Sequence, residues 1–163
     1  MTTFSPLADQ IAKTLIATKQ TICVAESSTG GLIAANLLSV AGASAYFVGG
    51  SVVYSLKSRH AFLDLDRAAT KNLKPLTEAM VLEFAKAARR KLQTTWAIAE
   101  LGAAGPSGTP YGHAAGTSVI GIAGPINATI TLQTGSAERA ENMLTFTHGA
   151  LQLLVATLGQ QPQ

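Results

Sequence analysis

Hydrophobic and polar positions along the 163 residues fall into helical and extended patterns. Apolar residues at helical spacing after Ser5-Pro6 predict a capped amphipathic helix beginning near Leu7, with proline in its first turn. The same spacing recurs over Glu78–Leu92 and Ala137–Leu158, and Gly159 is placed as the C-cap of the latter segment. These three segments are therefore predicted to be the long helices.

Short apolar runs between these helices predict strands, and the last two runs are joined by a Gly-Pro-Ile-Asn turn that favours a hairpin. The predicted strands are Thr21–Ala25, Phe47–Tyr54, Thr95–Ala99, Thr117–Ile122 and Ala128–Gln133, and the predicted shorter helices are Gly31–Ser39 and Ser58–Leu63. The element order is α-β-α-β-α-α-β-β-β-α. It predicts an α/β fold, a three-layer α/β/α sandwich with a mixed β-sheet.

Length and composition predict a single domain over residues 1–163. Hydrophobic residues make up 47% and charged residues 13%, which excludes a disordered chain. So few charges leave a poorly solvated surface, and we expect a homodimer or a higher homo-oligomer. The chain lacks a signal-peptide pattern and an apolar run of roughly 18 residues, so we expect a cytoplasmic protein without membrane contact.

The net charge of +3 is concentrated in residues 57–91, which hold nine basic and four acidic side chains. Such a cluster suits nucleic acid or an anionic small molecule, although most of it is expected to form a solvated helix face. Phe62 and Phe84 are the aromatic residues among these basic ones, too few for a base-stacking surface, so nucleic-acid binding is disfavoured. One cysteine and three scattered histidines give no metal-ligand spacing, and no metal or cofactor is predicted.

The first candidate site is Glu26–Gly31, which joins a predicted buried strand to a helix. Free N–H groups at a helix start stabilise an oxyanion or a phosphate, and a serine placed there is positioned as a nucleophile. Serine and threonine are also preferred N-caps, however, and glycine permits close packing. The residues alone therefore favour a structural role.

Two further segments carry possible chemistry. Tyr54, Lys57 and Arg59 follow a strand, where a phenol or a cation could lower the pKa of a hydroxyl nucleophile. The Gly- and Pro-rich segment 102–110 follows another strand and could hold a ligand or form an ordinary turn. P-loop and dinucleotide-binding motifs are absent from the sequence.

Together and in this order, these segments resemble the C-terminal domain family of CinA, best known for nicotinamide mononucleotide deamidation. The resemblance covers residues 8–158, and the family's pyrophosphatase-like N-terminal domain has no counterpart, so we expect the stand-alone form. The matching motifs are Ala25–Gly31 for A-E-S-C-T-G-G, Gly42-Ala43-Ser44 with Phe47, Gly50, Tyr54 and Ser55 for G-A-S-x-x-F…G…Y-S, Gly102–Gly108 for G-I-A-G-P-x-G, and Gly116–Val119 for G-T-V.

The resemblance implies an amidohydrolase of NAD metabolism that converts nicotinamide mononucleotide, or a related nucleotide amide, to the acid and ammonia. Ser27 would attack the amide carbon, with the oxyanion held by backbone N–H groups of residues 28–30. Tyr54 with Lys57 or Arg59 would assist proton transfer or lower the serine pKa, and one cation would pair with the phosphate. The implied substrate-binding residues are Ser28, Thr29, Gly30, Gly31, Gly102, Ala103, Ala104, Gly105, Pro106 and Arg139.

Four departures from the family pattern keep an alternative open. The family's Ser-Cys pair is Ser27-Ser28, and its lysine five positions after the tyrosine is Arg59, which cannot serve as a base. A Ser or Thr expected before the glycine-rich segment is Leu101, and a Gly-Asp-Arg stretch is residues 135–137, with Arg139 as the nearest cation. The alternative is a catalytically weakened or inactive family member that acts as a nucleotide-binding or structural domain.

Overall fold

A five-stranded mixed β-sheet lies between two helical layers in the computed structural model, which describes residues 4–162. The α/β/α sandwich with a mixed sheet is therefore confirmed. The elements are α1 (Leu7–Thr18), β1 (Ile22–Glu26), α2 (Leu32–Leu38), a 3₁₀ turn (Ala43–Ala45), β2 (Phe47–Val52), α3 (Leu56–Phe62), α4 (Arg67–Thr70), α5 (Glu78–Leu92), β3 (Trp96–Ala103), β4 (Thr117–Ala123), β5 (Ala128–Gln133) and α6 (Arg139–Leu158).

The strands follow the order β2-β1-β3-β4-β5 across the sheet. Strand β1 pairs in parallel with β2 and with β3, whereas β3–β4 and β4–β5 are antiparallel. The predicted hairpin between the last two strands is confirmed. Strands β1, β3 and β4 are buried along nearly their whole length because helices cover both faces of the sheet.

Successive residues of β3 point to opposite layers. Trp96 and Ile98 belong to the hydrophobic core that also contains residues of α1, α2 and α6. Ala97 and Ala99 belong to the core beside α5. This alternation directs the next residue, Glu100, to the layer of α2 and α6, where it is fully buried.

Strand β3 extends beyond its predicted end at Ala99. Its parallel pairing with β1 does end at Ala99, but its antiparallel pairing with β4 continues to Ala103. Gly102 and Ala103 therefore lie in the strand and not in the following loop. The prediction that the whole segment 102–110 forms a loop is wrong for these two residues, because the partner strand extends further than β1.

The helical segment after β2 also differs from the prediction. Helix α3 begins at Leu56 and not near Ser58, because the Ser55 hydroxyl accepts a hydrogen bond from the Ser58 N–H and caps the helix. A further helical turn, α4, was not predicted, and Asp66 caps it with a side-chain oxygen that accepts two backbone N–H bonds. The earlier start of α3 decides which of its side chains face the candidate site.

Several large apolar side chains are exposed near the edge strand β2. They include Val48, Val52, Tyr54 and Leu56, the last of which is 71% exposed. No structural observation assigns a partner to this surface, and the homo-oligomer stays a prediction. Within residues 4–162, no helix combines the length and the hydrophobicity that crossing a membrane requires.

Candidate active site

Three hydroxyl-bearing residues, Ser27, Ser28 and Thr29, form a buried turn between β1 and α2. The Ser28 and Thr29 hydroxyls are hydrogen bonded to buried carboxyl groups. The Ser27 Oγ has no hydrogen-bond partner in residues 4–162, and Ser27 lines a cavity. Of these three hydroxyls, Ser27 thus offers the one that is free to meet a ligand.

The Glu26 carboxylate caps helix α2 from the end of β1. Its Oε1 accepts the N–H groups of Gly31 and Ile33 at 2.8 and 3.1 Å, and its Oε2 accepts the N–H of Ala34 at 2.9 Å. The Thr29 hydroxyl donates to the same Oε1 at 2.7 Å. These N–H groups at the helix start have no partner inside the helix, so the side chain of Glu26 supplies the acceptors that they need.

A second buried carboxyl group, Glu100 on β3, lies beneath the same turn. Its Oε2 accepts the N–H groups of Ser27 at 3.1 Å and Thr29 at 3.0 Å. Its Oε1 is hydrogen bonded to Ser28 Oγ and, at 3.2 Å, to Ser118 Oγ of β4. Burial raises the pKa of the Glu100 carboxyl group, and these hydrogen bonds oppose that rise. Glu100 therefore fixes the conformation of the serine turn.

The cavity beside Ser27 has a volume of about 380 Å³ and brings together side chains from five parts of the chain. Four of the residues predicted to catalyse or to bind substrate line it: Ser27, Tyr54, Arg59 and Gly102. The other lining residues are Leu56, Pro75, Leu76, Met80, Leu101, Thr109 and Tyr111. A mostly apolar pocket with a free hydroxyl, a phenol and a cation suits a small polar organic ligand.

Arg59 lies where this cavity meets a second one of about 440 Å³, which shares Leu56 and Met80 with the first. Its Nε donates to the carbonyl of Val53 at 3.2 Å, and its guanidinium lies 5.2 Å from the centre of the Phe84 ring. Burial lowers the pKa of Arg59. The salt bridges found in residues 4–162 do not involve Arg59, so its charge is available to an anionic ligand.

Lys57 is exposed and lines neither of these two cavities. Because α3 begins at Leu56, its helical spacing directs Leu56, Arg59 and His60 towards the cavities, and Lys57 lies on another side of the helix. The structure therefore does not bring the predicted Lys57 into contact with the serine cavity.

Arg139, at the start of α6, links Tyr54 to the loop after β3. Its Nη1 donates to the carbonyl of Gly105 at 2.7 Å, and its Nη2 donates to the Tyr54 hydroxyl at 3.3 Å. Residues 103–105 are buried, and Asn142 donates to the carbonyl of Ala104 at 2.8 Å. Residues 103–106 are not part of the cavity lining, and Arg139 joins the backbone of Gly105 to Tyr54, which does line it.

The backbone of the serine turn corrects one detail of the predicted oxyanion site. The N–H of Thr29 donates to Glu100, and the N–H of Gly30 donates to the carbonyl of Ser27 at 3.1 Å. Of residues 28–30, Ser28 alone keeps an N–H group that is not already bonded within the described chain. Of the three backbone N–H groups predicted to hold an oxyanion, one is therefore left unbonded.

Sequence reasoning missed Glu100 and Tyr111, and it included Thr109 only as a member of segment 102–110. Thr109 and Tyr111 belong to the loop between β3 and β4. The N–H and hydroxyl groups of Thr109 bond to His113 within this loop, and a single sequence does not show how such a loop folds. Glu100 did carry a signal, since an acidic residue directly follows the apolar run at 96–99 and precedes Leu101. A charge inside an apolar strand indicates a paired or hydrogen-bonded buried group.

A substitution at Gly102 tests how tightly the serine turn is packed. A Cβ at Gly102 would overlap Ser28 Oγ and lie 2.6 Å from Glu100 Oε1, so G102A is expected to destabilise the fold by about 1–3 kcal/mol and to displace Ser28. Denaturant unfolding measures this change. The matched control is G49A in strand β2, where a Cβ would meet Leu92 at an ordinary 3.8 Å. Equal stability of the two variants would contradict the packing described here.

The fold and the site together define a class of protein: an α/β/α sandwich with a mixed sheet and a serine turn held between β1 and α2 by two buried glutamates. The chain belongs to the CinA C-terminal domain family, whose profile matches residues 4–158. The resemblance drawn from the sequence motifs is thereby confirmed.

Curated relatives and solved structures agree with this assignment. A CinA-like protein of Chlorobium limicola is 34% identical over 150 residues, which are 89% of this chain and 35% of the relative. A CinA-like protein of Prochlorococcus marinus is 37% identical over 123 residues, which are 76% of this chain and 29% of the relative. The chain thus spans about a third of the length of these relatives.

Two solved structures cover nearly the whole chain. The competence damage-inducible protein A (ComA) of Klebsiella pneumoniae has a TM-score of 0.87 and 26% identity, with 96% of this chain and 97% of that chain covered. The competence/damage inducible protein CihA of Agrobacterium tumefaciens has a TM-score of 0.83 and 26% identity, with 98% and 100% covered. These TM-scores and coverages show that the observed sandwich has the architecture of the family.

Proposed function

We propose that this protein hydrolyses the carboxamide of nicotinamide mononucleotide or a related nucleotide amide, with Ser27 as nucleophile. The Ser27 oxygen forms a bond to the amide carbon, the carbon–nitrogen bond breaks, and the serine proton leaves with the nitrogen as ammonia. Water then cleaves the resulting ester, which releases the acid and restores the hydroxyl. The Ser28 N–H is the backbone group best placed to receive the developing oxyanion.

The observation that carries this proposal is the free hydroxyl of Ser27. Its neighbours Ser28 and Thr29 are bonded to carboxyl groups, whereas Ser27 is held by its backbone N–H and its hydroxyl lies at a cavity. A nucleophile needs this arrangement, with a fixed backbone and an accessible oxygen. Membership of the CinA C-terminal domain family supports the same reaction class.

The position and charge of Arg59 support the proposal that the substrate is anionic. Its half-buried guanidinium lines the serine cavity without a carboxylate partner, so a phosphate could pair with it there. Tyr54 lines the same cavity and receives a hydrogen bond from Arg139, which places a second cation near the opening. A carboxamide at Ser27 and a phosphate at Arg59 or Arg139 describe a nucleotide amide.

One observation favours a second candidate, a nucleotide-binding domain without hydrolysis. No proton acceptor lies within hydrogen-bond distance of Ser27 Oγ in the described part of the chain, and arginine at position 59 cannot take a proton. In this second function the cavity would hold the same ligand without turning it over. The two candidates therefore share a binding site and differ in activity.

Ammonia release from a panel of nucleotide carboxamides distinguishes the two functions. The panel pairs nicotinamide mononucleotide with its riboside, which lacks the phosphate, and calorimetry measures binding in parallel. Our proposal predicts ammonia release from the phosphorylated amide and weaker binding of the riboside. Tight binding without ammonia would establish the nucleotide-binding function, and neither binding nor release would contradict both.

Arg59→Lys is expected to raise the deamidation rate. A lysine amine that is partly desolvated beside other cations loses its proton more readily, so it can act as a base near neutral pH, which arginine cannot. The measurement is kcat for ammonia release, with Lys57→Ala as the control that should change nothing, because Lys57 lies outside the cavity. A loss of activity in Lys57→Ala would show that Lys57 reaches the site after all.

A further inference from the structure

The two oxygens of the Glu100 carboxyl group have different kinds of partner. Oε2 faces the backbone N–H groups of Ser27 and Thr29, which can only donate hydrogen bonds, and it also accepts from the Thr29 hydroxyl at 3.1 Å. Oε1 faces the hydroxyl groups of Ser28 and Ser118, which can donate or accept. A proton on Oε1 thus meets no competing donor, whereas a proton on Oε2 would meet two.

The Ser118 hydroxyl, next to Oε1, can donate its proton to a different acceptor. Ser118 Oγ lies 3.2 Å from the carbonyl oxygen of Leu101 and equally far from Glu100 Oε1. When Ser118 donates to the carbonyl, its lone pairs face Oε1 as acceptors. The local hydrogen bonds can therefore accommodate a neutral Glu100, with Oε1 as the donor.

The Glu26 carboxylate has the opposite arrangement. Both of its oxygens face backbone N–H groups, those of Gly31, Ile33 and Ala34. Both oxygens of Glu26 therefore face groups that can only donate. Thr29 has a single hydroxyl proton and lies between the two carboxyl groups, at 2.7 Å from Glu26 Oε1 and 3.1 Å from Glu100 Oε2. The shorter distance directs that proton to Glu26.

The surroundings of Glu100 contain no cation that would stabilise a second negative charge. Among residues 4–162, the ionisable side chains of α6 (Glu138, Arg139, Glu141 and His148) are exposed, and α2 and β4 carry none. Of the ionisable groups in the described residues, Glu26 on β1 is the one that hydrogen bonds join to Glu100, through the Thr29 hydroxyl. Two buried negative charges sharing one hydroxyl are unfavourable, which leaves the proton on Glu100.

We propose that Glu100 is a neutral carboxylic acid at neutral pH, with its proton on Oε1 shared with Ser28 Oγ, and that in this state it positions Ser27. It fixes the Ser27 and Thr29 N–H groups without placing a negative charge beneath the nucleophile, where a charge would oppose an oxyanion. The catalytic part of this inference rests on the proposed hydrolase function. The protonation state itself holds with or without a substrate.

Infrared spectroscopy tests the protonation state without any substrate. A carboxylic acid absorbs separately from a carboxylate, and at pH 7 the wild-type protein should show the acid band. The band should disappear in E100Q and persist in the matched variant E26Q. Absence of the band in the wild type, or its loss in E26Q and not in E100Q, would overturn the assignment.

Stability against pH gives a second, independent measurement. Glu100 has a pKa above its ordinary value of 4.5, so its contribution to stability is complete below pH 4.5 and is lost as pH rises through the folded-state pKa. The free energy of unfolding of the wild type should therefore fall relative to that of E100Q as the pH rises above 4.5. A difference that does not change with pH, or one that changes in the opposite direction, would overturn the proposal.

Activity tests the positioning role. E100A is expected to lose about 100-fold in kcat with little change in KM, because a displaced turn misplaces the nucleophile. E100Q, which keeps an acceptor for the backbone and a donor for Ser28, should recover most of that loss. If ionisation of Glu100 at alkaline pH displaces the turn, kcat of the wild type should fall there and kcat of E100Q should not. Failure of E100Q to recover activity, with the infrared result intact, would leave Glu100 neutral but reject its positioning role.

Discussion

Ser27→Ala is expected to abolish hydrolysis of the nucleotide amide and to leave the fold intact. The Ser27 hydroxyl makes no hydrogen bond in the described structure, so its removal breaks none, and its backbone N–H still donates to Glu100. Removing a covalent nucleophile costs several orders of magnitude in kcat. Steady-state ammonia release and thermal unfolding, measured on the same preparation, check both parts.

Ser28→Ala is the matched control for Ser27→Ala, because it removes the adjacent hydroxyl of the same turn. Ser28 Oγ contacts Glu100 and does not line the cavity, so we expect a loss of about 10-fold. Wild-type activity in Ser27→Ala, or a larger loss in Ser28→Ala, would remove Ser27 as the nucleophile. An unfolded Ser27→Ala would contradict the view that its hydroxyl has no structural role.

Glu26→Ala is expected to have the largest effect on stability. It leaves the N–H groups of Gly31, Ile33 and Ala34 without their acceptor at the start of α2. Unsatisfied groups of this kind cost about 1–3 kcal/mol each, although water can reach part of this helix start, so we expect a total of about 3–5 kcal/mol. Urea unfolding measures the change in the free energy of unfolding.

Two variants make the Glu26 experiment specific. Glu141→Ala removes an exposed carboxylate and should change stability by no more than about 0.5 kcal/mol. Glu26→Gln should remain clearly less stable than the wild type, because its amide NH₂ would face a backbone N–H. If Glu26→Ala is as stable as Glu141→Ala, the carboxylate does not cap α2.

The sequence predicts the layers of this fold well because its apolar periodicity is strong. The amphipathic segment 78–92 became α5 with the predicted bounds, and the Gly-Pro-Ile-Asn turn became the β4–β5 hairpin. The predicted ends of helices and strands were less accurate where those ends depend on contacts with other parts of the chain. Strand β3 ends at Ala103 because β4 continues to pair with it, and residues 96–99 carry no trace of that partner.

The site was predictable in part for the same reason. Ser27 and Tyr54 lie at strand ends, and the ends of neighbouring parallel strands meet at one edge of the sheet. We predicted that α3 starts two residues later than it does. The helical spacing that directs Arg59, and not Lys57, towards the cavity could therefore not be recognised from the sequence. Glu100 was missed because its partners Ser27, Ser28 and Ser118 lie 18 to 73 positions away, and only the folded chain brings them together.

Covalent capture of the nucleophile tests the central claim most directly. The protein is mixed with nicotinamide mononucleotide, quenched in acid during turnover, and digested for peptide mass spectrometry. Our account predicts an adduct on Ser27 with the mass of the substrate less ammonia, in the wild type and more abundantly in Arg59→Lys, and no such adduct in Ser27→Ala. Ammonia release with no adduct on Ser27 in either protein, or an adduct on Ser28, would contradict it.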